Sequence, residues 1–105
     1  MGVDNKRLLL EISKEMRELN QRIINPQIPV LTQDSLKPVI TAVALARAAY
    51  LKELFELSTS ISEDFPLQPE QVEQLKLLRL TYDELLLASN AMETAIERGY
   101  LDVER

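Results

Sequence analysis

The chain has 105 residues and a net charge of -5 from 12 basic and 17 acidic side chains, enough for one domain with a real core and too acidic for the clustered positive charge that nucleic-acid binding needs. It contains neither cysteine nor histidine, which excludes disulfides, Cys-His and Ser-His-Asp catalysis, zinc sites of the usual N/S type and the Glu-x-x-His pairs of di-iron bundles. Glycine at positions 2 and 99 only leaves no loop that could cradle a phosphate.

The first helix is expected over about residues 4–24, opened by Asp4 and stopped by Asn25-Pro26. Leu9, Ile12, Met16, Leu19 and Ile23 alternate by three and four, the spacing of one narrow coiled-coil seam. Its basic residues Lys6, Arg7, Lys14, Arg17 and Arg22 are interleaved with Glu11, Glu15 and Glu18, which describes a solvated mixed face. Met1 to Ser13 lacks the apolar core of a signal peptide, since Asp4 and Glu11 flank only Leu8 to Leu10, and has no small-residue cleavage site, so a cytoplasmic location is expected.

Residues 25–33 carry Pro26 and Pro29 and are expected to be extended, with Ile28, Val30 and Leu31 covering apolar surface. Such a segment is long enough to cross over the bundle, so the first helix could dock on its own chain or on a neighbouring one.

The second helix is expected over about 35–62, capped by Asp34 or Ser35, with Pro38 near its first turn. At 100° per residue, Leu36, Val39, Ile40, Val43, Ala44, Tyr50, Leu51, Leu54, Phe55, Leu57 and Ile61 fall on one broad arc. Its most apolar stretch, Val39 to Leu51, is interrupted by Thr41 and Arg47 and is too short to cross a bilayer.

After a short loop, Pro69 suits the first position of a third helix that runs to about residue 98, and Gly99 stands where a left-handed cap is wanted, with Tyr100 folding back. Its expected core includes Leu77, Leu78, Leu85, Ala88, Met92, Ala95 and Ile96. The whole reads as a single all-α domain, 1–105, of three long amphipathic helices in a bundle.

The arcs on the second and third helices are wider than a three-helix bundle needs, and the first helix supplies a narrow seam to cover them. The expectation is a homodimer with a four-helix core formed by helices two and three of both subunits. Leu51, Leu54, Phe55, Leu78, Leu85 and Met92 are the candidate self-association surface.

Two charges stand inside these arcs. Arg47 lies among Ile40, Val43, Ala44, Tyr50, Leu51 and Leu54, and Glu84 among Leu77, Leu80, Leu87, Ala88 and Ala91. Counted outward from the hairpin loop they are nearly level, so the pattern predicts that they meet, as a buried ion pair that fixes register or as an anchor for an anion. Tyr50 and Tyr82 are expected at the core edge with their hydroxyls toward water.

The paired acids, Glu53 with Glu56, Glu63 with Asp64, Asp83 with Glu84 and Glu93 with Glu97, fall mainly on polar faces and give no metal or cofactor site. Neither the converging Arg and Lys set of the all-helical chorismate mutases nor the Glu-Glu-x-x-Glu run of the helical nucleotide pyrophosphohydrolases is present. The function expected from these features is a non-enzymatic association protein: a dimeric scaffold, adaptor or small regulatory subunit that presents helical surface to a partner protein. The alternative is an anion-binding bundle or small enzyme centred on Arg47 and Glu84.

Overall fold

A computed structural model describes residues 2–104, and these are all-helical. Helix α1 spans Gly2–Ile24, α2 spans Gln33–Ser60 and α3 spans Pro69–Glu97, with a 3₁₀ turn at Asn25–Gln27. None of the helices is long and apolar enough to cross a membrane. The chain divides into two compact units: unit 1 runs to Leu36 and resumes at Ala91, and unit 2 is Lys37–Asn90.

Unit 1 is held by caps, turns and one backbone bridge around a small apolar cluster. Leu31, Tyr100 and Leu101 are buried, with Ile24, Ile28, Leu36, Met92, Ala95 and Ile96 packed against them. The segment from 25 to 33 is not extended throughout, because Pro26 favours the tight turn at Asn25–Gln27, closed by Ile28 N–H donating to the Asn25 carbonyl at 3.3 Å. Beyond it the backbone extends and pairs once, in parallel, with the C-terminal segment: Leu31 N–H donates to Asp102 O and Glu104 N–H to Leu31 O, both at 2.8 Å.

Helix α2 starts at Gln33, two residues before the expected position, because Thr32 is its cap instead of Asp34 or Ser35. Thr32 Oγ1 accepts from Ser35 N–H at 3.1 Å, and Ser35 Oγ accepts from Thr32 N–H at 2.7 Å. This reciprocal box satisfies two otherwise unpaired donors. Leu31 before the cap and Leu36 in the next turn pack together in the cluster, a hydrophobic staple that fixes the angle at which the chain enters the helix. Pro38 lies inside α2, past its first turn, and has no N–H for the Asp34 carbonyl.

At the other end of unit 1, Gly99 adopts φ 73°, Tyr100 N–H donates to Ala95 O at 2.9 Å and Gly99 N–H to Ile96 O at 3.1 Å. Those two bonds make a complete Schellman cap with Tyr100 folded onto Ala95.

Unit 2 is a helical hairpin. On α2 the half-buried or buried positions include Val39, Val43, Ala46, Tyr50, Glu53 and Leu57, and on α3 Gln71, Leu75, Leu78, Tyr82, Leu85 and Ser89. Both rows step alternately by three and four, so the helices meet along one heptad seam. Leu57 is the one fully buried side chain described in this unit.

The turn itself is closed by Ser62 and Phe65 exchanging backbone hydrogen bonds at 3.1 Å. Helix α2 has no glycine cap; instead the hydroxyls of Ser58, Thr59 and Ser60 donate to the carbonyls of Phe55, Glu56 and Leu57 at 2.7 to 2.8 Å. Pro69 opens α3, where Gln71 Oε1 reaches back to Gln68 N–H at 2.8 Å.

Candidate functional site

The burial pattern separates what a single helical arc had merged. Tyr82 lies on the seam of unit 2 and its ring stacks on Tyr50, with centroids 6.3 Å apart and 27° between the ring planes. Arg47, one turn from Tyr50 on α2, is exposed. Its Nε donates to the Tyr82 hydroxyl at 3.1 Å, and its guanidinium carbon stands 5.3 Å from the centre of the Tyr82 ring. A hydrogen bond and a cation–π contact therefore orient the guanidinium. The Tyr82 hydroxyl, expected to face water, accepts a hydrogen bond from this cation.

Glu84 is exposed, and no salt bridge joins it to Arg47 within the described chain. Tyr82 and Glu84 are two residues apart, about 200° around a helix. With Tyr82 turned to α2, Glu84 is turned away. It lines an open depression of about 500 Å³ with Leu80, Thr81 and Leu85. The ion pairs present on the helices, Lys14–Glu18, Lys52–Glu56 and Arg79–Asp83, are exposed i,i+4 pairs at 3.6 to 4.0 Å, each worth a few tenths of a kcal/mol, roughly.

Of the six residues expected on a self-association surface, Leu51, Leu54 and Phe55 are exposed, Phe55 at 72%. Leu78 and Leu85 are half-buried along the hairpin seam, and Met92 packs against the cluster of unit 1. The seam of α3 follows residues 75, 78, 82, 85 and 89, so two of the leucines already face α2.

A second apolar stripe belongs to α1. Leu9, Ile12, Met16, Leu19 and Ile23, the whole of the expected seam, are exposed.

Unit 1 also contains a cavity that the sequence did not suggest. It has a volume of about 250 Å³ and is lined by Ser13, Met16, Arg17, Arg98 and Tyr100. Ser13, Arg17 and Asn20 share one face of α1 by their spacing, and the Schellman cap places Tyr100 opposite. Neither arginine takes part in a salt bridge among the described residues. The polar side chains of Arg98 and Asn20 beside it, with the nearby positive charge of Arg98 and Arg17, hold the Tyr100 hydroxyl below its ordinary value of 10.0. No local motif marks this group: Arg17 and Arg98 are separated by most of the chain.

Among the described residues no group of three acids stands close enough to hold a metal ion. No protein-family model, curated protein or solved structure matches the chain.

Proposed function

We propose that this protein is a non-catalytic, self-associating helical protein, acting as a dimeric scaffold, adaptor or small regulatory subunit. One observation carries the reading: unit 2 buries Leu57 alone among its described residues, while Ile40, Leu51, Leu54, Phe55, Leu77, Leu80 and Leu87 are exposed. A two-helix hairpin with so small an interior is marginal in water. Apolar surface of this extent on an acidic chain marks an association site. A homodimer whose four-helix core comes from α2 and α3 of both copies covers it, and the exposed seam of α1 offers a further stripe to another helix.

The test is the mass in solution. Sedimentation equilibrium across a wide concentration range is expected to show a species of at least twice the chain's 12.0 kDa. A 12.0 kDa particle at every concentration overturns the reading.

A second reading, binding of a small anion, is favoured by the cavity in unit 1. Two arginines without carboxylate partners among the described residues, with Ser13 and Tyr100, line a cavity of about 250 Å³, which has room for a hydrated oxyanion. Titration with inorganic phosphate followed by amide chemical shifts is expected to move Ser13, Arg17 and Arg98 in wild type and not in Arg17→Ala. Shifts that are absent, or that persist in the variant, reject it.

A further inference from the structure

Each helix of unit 2 carries two rows at heptad spacing. The inner rows form the hairpin seam. The outer row of α2 is Ile40, Ala44, Arg47, Leu51 and Leu54, and that of α3 is Leu77, Leu80, Glu84 and Leu87; all nine residues are exposed. From the seam, the outer row lies about 100° around α2 and about 160° around α3. The two outer rows of one chain therefore point in different directions, and neither can cover the other.

They nevertheless match. Each row is apolar except for a single charge near its middle, and the two charges have opposite sign. Aligned antiparallel with Arg47 level with Glu84, the rows set Leu51 beside Leu80, Leu54 beside Leu77, and the small Ala44 beside Leu87. Every layer then combines an a-type with a d-type position, as antiparallel coiled coils require. A slip of one heptad puts Arg47 against Leu77 or Ala91, leaving a charge against an apolar side chain. In a parallel arrangement like positions face each other, and Arg47 meets Leu80 or Leu87, never Glu84.

Two details of the free chain suit this pairing. Arg47 gives its Nε to Tyr82, so the guanidinium is held in place while its terminal amino groups make no hydrogen bond or salt bridge among the described residues. Those groups are the ones that bind a carboxylate side-on. Glu84 borders the open depression formed with Leu80, Thr81 and Leu85, where an incoming arginine side chain would fit.

From this complementarity we infer that α2 of one chain lies antiparallel along α3 of a second copy, with Arg47 paired to the partner's Glu84. The inference rests on the self-association reading and adds to it the occupant, the direction and the register. A single charge pair in an otherwise apolar interface contributes little net stability, yet it penalises every misaligned arrangement, which is the best-attested use of such pairs.

The experiment uses full-length chains. Arg47→Glu and Glu84→Arg each place like charges together, and each is expected to weaken self-association by about a hundredfold or more in sedimentation equilibrium. The double reversal is expected to return to within about tenfold of wild type. Circular dichroism identifies any variant that is simply unfolded.

Because the chain has no cysteine, mixing also tests the register. Leu51→Cys chains with Leu80→Cys chains should form a disulfide-linked dimer on mild oxidation, while Leu51→Cys with Leu87→Cys, one heptad out of register, should not. If wild type associates but the single reversals associate as well as it does, or both cysteine pairs link equally, this pairing is wrong and self-association stands. If wild type stays at 12.0 kDa, both fall and the outer rows are left to a different helix.

Discussion

Unit 1 encloses Leu31, Tyr100 and Leu101 with a staple, a capping box, a Schellman cap and one parallel bridge, whereas unit 2 consists of two long helical segments and buries one leucine. The staple, box and Schellman cap of unit 1 are local and directional, each setting a turn that aims an apolar side chain inward, and the bridge ties Leu31 to residues 102–104. Unit 2 relies on helix propensity and a single seam, and its remaining apolar rows face solvent. Secondary structure and interior are thus unequally distributed. The region with more helix has less core, and it is the region to which the proposed partner would bind.

The comparison is broken most strongly by removing core volume. Leu101→Ala is expected to cost unit 1 about 2–4 kcal/mol, with the same loss in denaturant unfolding at every protein concentration. Leu51→Ala, exposed in the chain, is expected to change an isolated chain by less than about 0.5 kcal/mol. Its effect should appear instead as a loss of the concentration dependence of the melting temperature. Equal, concentration-independent losses for both variants would mean that Leu51 is covered within its own chain.

Next in size is the cap of α3. A Cβ added at Gly99 meets nothing within 4 Å, so Gly99→Ala costs only the left-handed backbone conformation, about 1–2 kcal/mol in thermal unfolding. Thr32→Ala removes half of the box at the start of α2 and should cost about 1 kcal/mol; an unchanged stability would show that water replaces the cap without loss.

The smallest effect concerns Tyr100. Its folded-state pKa is depressed, chiefly by Arg98, so the fold favours the tyrosinate. The stabilisation from this source is complete above the unfolded value near pH 10 and disappears as pH falls through the folded value. Arg98→Ala should therefore shift the earliest tyrosinate absorbance to higher pH and lower stability more in alkaline solution than at neutrality. Ultraviolet difference spectra with Tyr100→Phe as reference check the assignment.

The features legible in the sequence are those set by a few neighbouring residues. Gly99-Tyr100 and Pro69 act within one helical turn, and each stands where local chemistry places it. Thr32 was harder to see, because Thr32, Asp34 and Ser35 can all cap a helix, and only the staple between Leu31 and Leu36 favours the first.

The meeting of Arg47 and Glu84 within one chain failed as an expectation for a different reason. A helical wheel pools every apolar residue into one arc and cannot separate two heptad rows on the same helix. The spacing 75, 78, 82, 85, 89 already places Tyr82 on the seam and Glu84 off it, so a count by heptads would have given Arg47 its tyrosine. The cationic cavity had no such signal, since its residues converge only through the fold of unit 1.

The parallel bridge between Leu31 and Val103 gives synthesis an order of events. Unit 2 is complete once its hairpin has left the ribosome, but the cluster of unit 1 must wait for Tyr100 and Leu101, roughly seventy residues after Leu31. At about 5–20 residues per second that interval is roughly 4–14 s. Throughout it Ile24, Ile28 and Leu31 lack the side chains that cover them in the finished cluster and stay open to capture by a chaperone or by a neighbouring nascent chain.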